Sequence, residues 1–383
     1  MPLDGEQRVT PLELFFDLVF VFALTQVTTV LSHDPNWTGL ERGLLLLVAL
    51  WWAWASYAWL TNTVDPNEAL VWGTVMVASG AMFIAALAVP EAFGRHGVLF
   101  GLAYLLVALM WLALYALSAR GDRDLLQAVL RVAPSSIVGA VLIFVAGFVP
   151  GALKPALWLA ALVVGFVGPL FIRVSGWRLR PAYFVERHGL IVIIAIGESL
   201  ASIGLGVRRG GLGAEEIVAA VLGFVVAASF WLAYFDFFTI RARQLLEERR
   251  GDARIAFARD EFTYLHLPMV VGIVLFAFGM KVTLADVDGE LSVVPALGLC
   301  GGPALFLFAF VALRYRVAHS IAGGRSVAAL AFVALVPVAM IVPAIVALAL
   351  VAAVWVVLHA YELIWWRAAR AELRGQRVPA SAS

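Results

Sequence analysis

Charge is scarce in this chain: Asp, Glu, Lys and Arg make up 14% of its 383 residues, against about 25% in soluble domains. A water-soluble fold of this length could not cover itself with so little polar surface. Lysine is nearly missing, with Lys154 and Lys281 the two among 27 basic residues. That bias, with heavy Ala, Val and Leu usage, reads as the product of a GC-rich bacterial genome. Cysteine is reduced to Cys300, which excludes an intramolecular disulfide. Lying in an apolar run, it reads as a buried, inert thiol. The net charge is +1, so no bulk field attracts nucleic acid. Enzyme motifs are missing too: there is no Gly-x-Ser-x-Gly, no His-Glu-x-x-His and no phosphate loop. Neither enzymatic activity nor a cofactor is expected. The first apolar run carries Glu13 and Asp17 and no cleavage-type site follows it, so no cleavable signal peptide is expected.

What is present is apolar. Hydrophobic residues are 63% of the chain. Runs of the ~20 residues that a bilayer requires recur near 12–31, 42–62, 70–89, 97–118, 130–149, 153–172, 187–206, 216–238, 264–283, 293–313, 326–342 and 344–364. The fold class is therefore all-α, a polytopic transmembrane helix bundle of about twelve spans. The weakest division is at Pro343, where a kinked passage plus a re-entrant segment is the alternative. With the N-terminus on side one, segments on that side hold 21 of the 27 basic residues. Cytoplasmic loops carry the excess of Lys and Arg. Both termini are thus expected in the cytoplasm, the span number even, and the location a bacterial inner membrane.

Setting Glu13 on Glu186 brings Thr25 onto Glu198 and Gln26 onto Ser199. Trp51, Trp52 and Tyr57 in the second span answer to Trp231, Tyr234 and Asp236 in the eighth. These registers suggest a six-plus-six parallel duplication, with halves at 1–172 and 173–366 related by an axis along the membrane normal. Chance alignment of apolar helices is the competing reading. The longest hydrophilic stretch, 239–263, mixes both charge signs at helix-compatible spacing. It reads as an exposed cytoplasmic helix linking the halves, or as a surface for a soluble partner. The tail 367–383 reads as disordered.

Two segments resemble the bacterial low temperature requirement protein A family. They are Glu-Leu-Phe-Phe-Asp-Leu-Val-Phe-Val-Phe-Ala-Leu-Thr-Gln (13–26) and Glu-Arg-His-Gly-Leu-Ile-Val-Ile-Ile-Ala-Ile-Gly-Glu-Ser (186–199). Trp-Leu-Ala-Tyr-Phe-Asp (231–236) and Tyr-Leu-His-Leu-Pro-Met-Val-Val-Gly (264–272) support the likeness. Between Trp51-Trp52 and Asn62 the second span departs from the family pattern, reading Ala-Ser-Tyr-Ala-Trp at 55–59. The resemblance implies a polytopic inner-membrane protein of undefined biochemical activity, because the family is named for a phenotype.

Ionisable groups inside a span are costly and mark solute or proton paths. Glu198 is the foremost candidate, with Ser199 and Ser202 close along the helix. Glu13 and Asp17, four residues apart, share one helix face. Without a counter-ion they form a proton or cation site; with Arg187 or Arg8 nearby they form a structural ion pair. Glu13 also suits a first helical turn. Asp236, His188 and His266 are expected at the cytoplasmic depth of Asp17, so a cluster Asp17–His188–Asp236–His266 is allowed and would suit a proton relay. Gln26 joins the coupling or substrate set by its register with Ser199. No tight ligand spacing supports a metal site. The tryptophans of the second span suit helix packing or an aromatic cavity. The leading functional reading is a proton- or cation-coupled secondary transporter of an unknown small solute. A non-transport membrane sensor or scaffold and a membrane-embedded enzyme are the alternatives, and the bilayer is the expected surrounding partner.

Overall fold

The structure is a computed structural model describing residues 9–64, 68–172, 175–210, 213–236, 238–321 and 323–365, with backbone alone for 205–210. The tail at 367–383 and Arg8 lie outside the described residues. Among the described residues there is no strand, and the bridge between Glu290 and Pro343 stands isolated. Among the described residues, ten helical passages are long and apolar enough to cross a membrane. The 30-residue α7 (Pro181–Gly210) and the 16-residue α14 (Gly324–Ala339) bring the helical passages to twelve.

Several helices begin before their apolar cores because polar caps start them. The Asn36 side chain accepts from the Gly39 N–H at 3.1 Å, opening α2 (Trp37–Thr63) ahead of the expected 42. Asp122 accepts from the Leu125 N–H at 3.1 Å and opens α5 (Arg123–Ala146) ahead of 130. Such a cap satisfies a backbone donor that the first helical turn leaves orphaned.

By packing, the chain forms two compact units, Met1–Ala195 with Leu246–Leu267, and Ile196–Leu245 with Pro268–Ser383. In the first unit α1 (Pro11–His33) packs on α2 and α3 (Ala69–Ala88). Next, α3 packs on α4 (Gly97–Ser118), α4 on α5, α5 on α6 (Leu153–Val167), and α6 returns to α2. The central helix is α2, so Trp51, Trp54, Tyr57 and Asn62 are buried. Gly101 lets α4 approach α5 closely, since a Cβ there would lie 2.5 Å from the Phe144 Cα. Such small-residue contacts replace hydrophobic drive when helices associate in lipid. Leu14, Phe15 and Leu18 on α1 and Leu99, Leu102 and Leu106 on α4 are exposed, as a lipid-facing surface requires.

The stretch 239–263 is helical as expected, but it is partly buried rather than exposed throughout. That stretch forms α9 (Phe238–Glu248), α10 (Gly251–Ala258) and a π-helical turn, Arg259–Leu265, which runs into α11 (His266–Thr283). Ile255, Phe257, Ala258 and Phe262 are buried while Asp252 is exposed. Apolar residues spaced three and four apart among the charges give this segment a core-facing stripe. Its mixed charges concealed that stripe.

The second unit also contains α8 (Ala214–Phe235), α12 (Val293–Ala296), α13 (Gly302–Ala318) and α15 (Ala344–Trp365). Helix α14 packs on α13 and α15, and α15 on α8. Gly272 and Gly302 face each other, and a Cβ on either would sit 2.5 Å from the other's carbonyl oxygen. A fork of Arg325 on Glu362, at 2.7 and 3.3 Å, ties α14 to α15. Pro343 separates two packed helices: α14 ends at Ala339 and α15 starts at Ala344. The start of α15 is held by Ala344 N–H on the Gly289 carbonyl and Ile345 N–H on the Val287 carbonyl, each at 2.9 Å.

Candidate functional site

The first unit encloses a cluster of ionisable side chains. It begins at the start of α1, where Glu13 Oε2 accepts from the Thr10 N–H at 2.8 Å and the Thr10 hydroxyl at 2.9 Å. Glu13 is therefore a capping-box residue, and it is fully buried. One turn on, Asp17 is ion-paired with Arg187 Nη1 from α7 and accepts the Trp54 indole N–H at 2.9 Å. Arg187 Nη1 also donates to the Glu13 carbonyl oxygen at 3.2 Å. The carboxylate pair thus has its counter-ion, and that ion is Arg187.

Arg187 has no solvent exposure. Its Nε and Nη2, and Glu13 Oε1, find no hydrogen-bond partner among the described residues. Each such buried orphan costs about 1–3 kcal/mol. The Trp54 ring lies 5.9 Å from the guanidinium carbon.

Beside this pair stand two buried imidazoles. His188 Nδ1 lies 2.9 Å from the Phe184 carbonyl, and His266 Nδ1 lies 2.8 Å from the Glu261 carbonyl. A carbonyl can only accept, so each neutral ring carries its hydrogen on Nδ1 and keeps Nε2 as the basic nitrogen. The two ring centroids are 5.4 Å apart. Phe262 packs on both, at 5.0 and 4.7 Å, and Trp54 meets His188 edge-on at 5.0 Å. Glu261, also fully buried, belongs to the same turn.

Sequence explains why that turn is wide. Pro268 has no N–H to close on the Tyr264 carbonyl, so the regular helical ladder is interrupted just downstream. The His266 N–H reaches back to the Glu261 carbonyl across the wider spacing. Two indoles of α2 hold the turn: Trp51 Nε1 donates to the Thr263 carbonyl and Trp59 Nε1 to the Thr263 hydroxyl, each at 2.9 Å. Single π-helical turns are frequent at functional sites. Asn62 fixes the entry to α7, donating to the Arg180 carbonyl at 3.3 Å and accepting from the Arg180 N–H at 2.8 Å.

Of the four-residue cluster expected from sequence, the first unit brings together Asp17, His188 and His266. Asp236, half-buried at the end of α8, belongs to the second unit. Gln26 is half-buried on α1. Glu198 also lies in the second unit, buried, and its Oε1 accepts from the Ser202 hydroxyl at 3.0 Å. The Ser199 hydroxyl is buried with no partner among the described residues. Among those residues no group of three or more His, Cys, Asp or Glu could hold a metal ion. Sequence reasoning named Arg187 as one of two alternative counter-ions for the carboxylate pair, gave Trp54 only a packing or cavity role, and missed Glu261 and Thr263. Arg187 directly precedes His188 inside the 186–199 motif, and Arg8, the other alternative, lies outside the described residues.

The fold and the enclosed charges define a multi-pass helical membrane protein. The sequence profile of the bacterial low temperature requirement A protein matches residues 8–360, and the chain belongs to that family. A relative from Rhizobium meliloti (strain 1021), described as an uncharacterized protein, is 32% identical over 306 residues, covering 77% of this chain and 74% of the relative. No solved structure matches.

Proposed function

We propose that this protein is a proton-coupled secondary transporter of a small solute in a bacterial inner membrane. The observation that supports this most is the enclosure of Glu13, Asp17, Arg187, His188, Glu261 and His266 within one membrane-embedded unit, each at most 2% exposed. On insertion scales a single Asp, Lys or Arg at a span centre costs ~2.5–3.5 kcal/mol. Asp17 with Arg187, and the Nε2 atoms of His188 and His266, form the proton-handling centre in this reading. Glu198 with Ser199 is a second carboxyl site, Gln26 belongs to the coupling set by register, and Asp236 belongs to it by depth. Both termini face the cytoplasm, the exposed part of 239–263 is open to a soluble partner, and the halves 1–172 and 173–366 arose by parallel duplication.

A non-transport sensor or scaffold is the second reading. It is favoured by the Arg187–Asp17 pair and by Ser202, a fixed partner for Glu198. Proton movement into proteoliposomes separates the two. Protein-dependent flux lost in Glu198→Gln at unchanged thermal stability supports transport. Flux equal to empty vesicles supports the scaffold.

A further inference from the structure

On the other side of the Arg259–Leu265 turn lies a half-open pocket of about 80 Å³ whose wall is mainly apolar. Trp52, Trp59, Trp111, Trp177, Tyr264 and Arg259 line it, all within the first unit. The polar edges of three of these rings are engaged elsewhere. Trp111 Nε1 donates to the Ser56 carbonyl at 2.8 Å, Trp59 Nε1 to Thr263, and the Tyr264 hydroxyl to the Phe166 carbonyl at 2.7 Å. What these rings offer a ligand is therefore aromatic surface. Arg259, ion-paired with the adjacent Asp260, supplies the cationic group on the wall. Its Nε is held by Asp260 Oδ1 at 2.8 Å and its Nη1 by the Pro169 carbonyl at 3.2 Å. Those contacts fix the guanidinium and leave Nη2 to a ligand.

We propose that this pocket binds a small organic acid, a carboxylate carried on a short planar apolar body. Ring faces are electron-rich and disfavour an anionic head, so the body stacks on the tryptophans and the head goes to Arg259. A charge-assisted N–H···O⁻ contact is the strong kind. An organic cation would suit the rings and meet the guanidinium unfavourably. The enclosed volume is about half that of the 150 Å³ cavity that binds benzene, so it seats one edge of a planar ring and the rest of the ligand lies in the open part of the pocket. The pocket also adjoins the ionisable cluster. Thr263 is on its wall, and the next residue back, Phe262, packs on both imidazoles. Occupancy is thus felt one residue from His188 and His266. The site stands independently of transport, and it names the solute class if transport occurs.

The test is equilibrium binding to the purified full chain in detergent, read by calorimetry and tryptophan fluorescence. The probes are benzoate, benzyl alcohol and benzyltrimethylammonium, which share one body and differ in charge. Benzoate binds most tightly. Arg259→Gln weakens benzoate by at least about tenfold and leaves benzyl alcohol within about twofold. Arg259→Lys recovers part of the loss, and Trp111→Ala weakens benzoate and benzyl alcohol alike. Unfolding curves for each variant confirm that folded protein is compared. No saturable benzoate binding to folded wild type, equal or tighter binding of the cation, or benzoate affinity unmoved by Arg259→Gln would each overturn the proposal. So would benzoate binding that phosphatidylglycerol abolishes, because the pocket would then belong to an anionic lipid.

Discussion

Replacing Arg187 with Met keeps a long side chain and removes the guanidinium that pairs with Asp17. Asp17 is then left 2% exposed with the Trp54 indole as its donor. Removing one partner of a buried ion pair costs about 3–5 kcal/mol, because the remaining charge is uncompensated. Unfolding entropy near 2.1 cal/mol/K per residue, scaled to 383 residues, converts this into a fall in Tm on the order of 5 °C. The double variant Asp17→Asn/Arg187→Met removes both charges and lets the Asn carbonyl accept the Trp54 N–H, so it should recover most of the loss. Thermal unfolding of all four proteins in one detergent completes a double-mutant cycle. A single Arg187→Met variant within about 1 kcal/mol of wild type, or a double variant equal to the sum of the singles, would refute the reasoning.

Asn62→Ala removes two hydrogen bonds to the Arg180 backbone at the entry to α7. It should lower stability by about 1–3 kcal/mol, read by the same unfolding assay; an unchanged Tm would show that the entry is held otherwise. Reporter fusions at Ala382 and within Glu247–Arg250 should both score as cytoplasmic, given the arginine distribution. A periplasmic score for either breaks the even span number.

Legibility in the sequence followed the physics of each level. Helical passages were legible because apolar length alone decides whether a segment can cross a bilayer. Asp17, His188 and His266 were legible as candidates because ionisable groups stand out in apolar runs. Their juxtaposition and the Arg187 counter-ion could be named only among alternatives, since Arg187 reaches Asp17 across a sequence gap of 170 residues and no local pattern decides between it and Arg8. Glu13 was legible as a first-turn residue, because an acidic group there is favoured by the helix dipole, while its capping-box contacts with Thr10 came from the structure. The segment at 251–263 misled because its charges dominated the reading while Ile255, Phe257 and Phe262 made the core contacts. The π-helical turn has only Pro268 as a local sign, and a proline at that spacing fits an ordinary helix start equally well.

The most direct measurement of the transporter proposal is proton uptake by proteoliposomes under an imposed membrane potential, comparing wild type, His188→Gln and Glu198→Gln per folded molecule. Transport through the buried groups predicts protein-dependent uptake in wild type, its loss in Glu198→Gln and its reduction in His188→Gln, with the Tm of both variants close to wild type. Uptake by wild type no greater than by empty vesicles, or uptake unchanged in both variants, would contradict it.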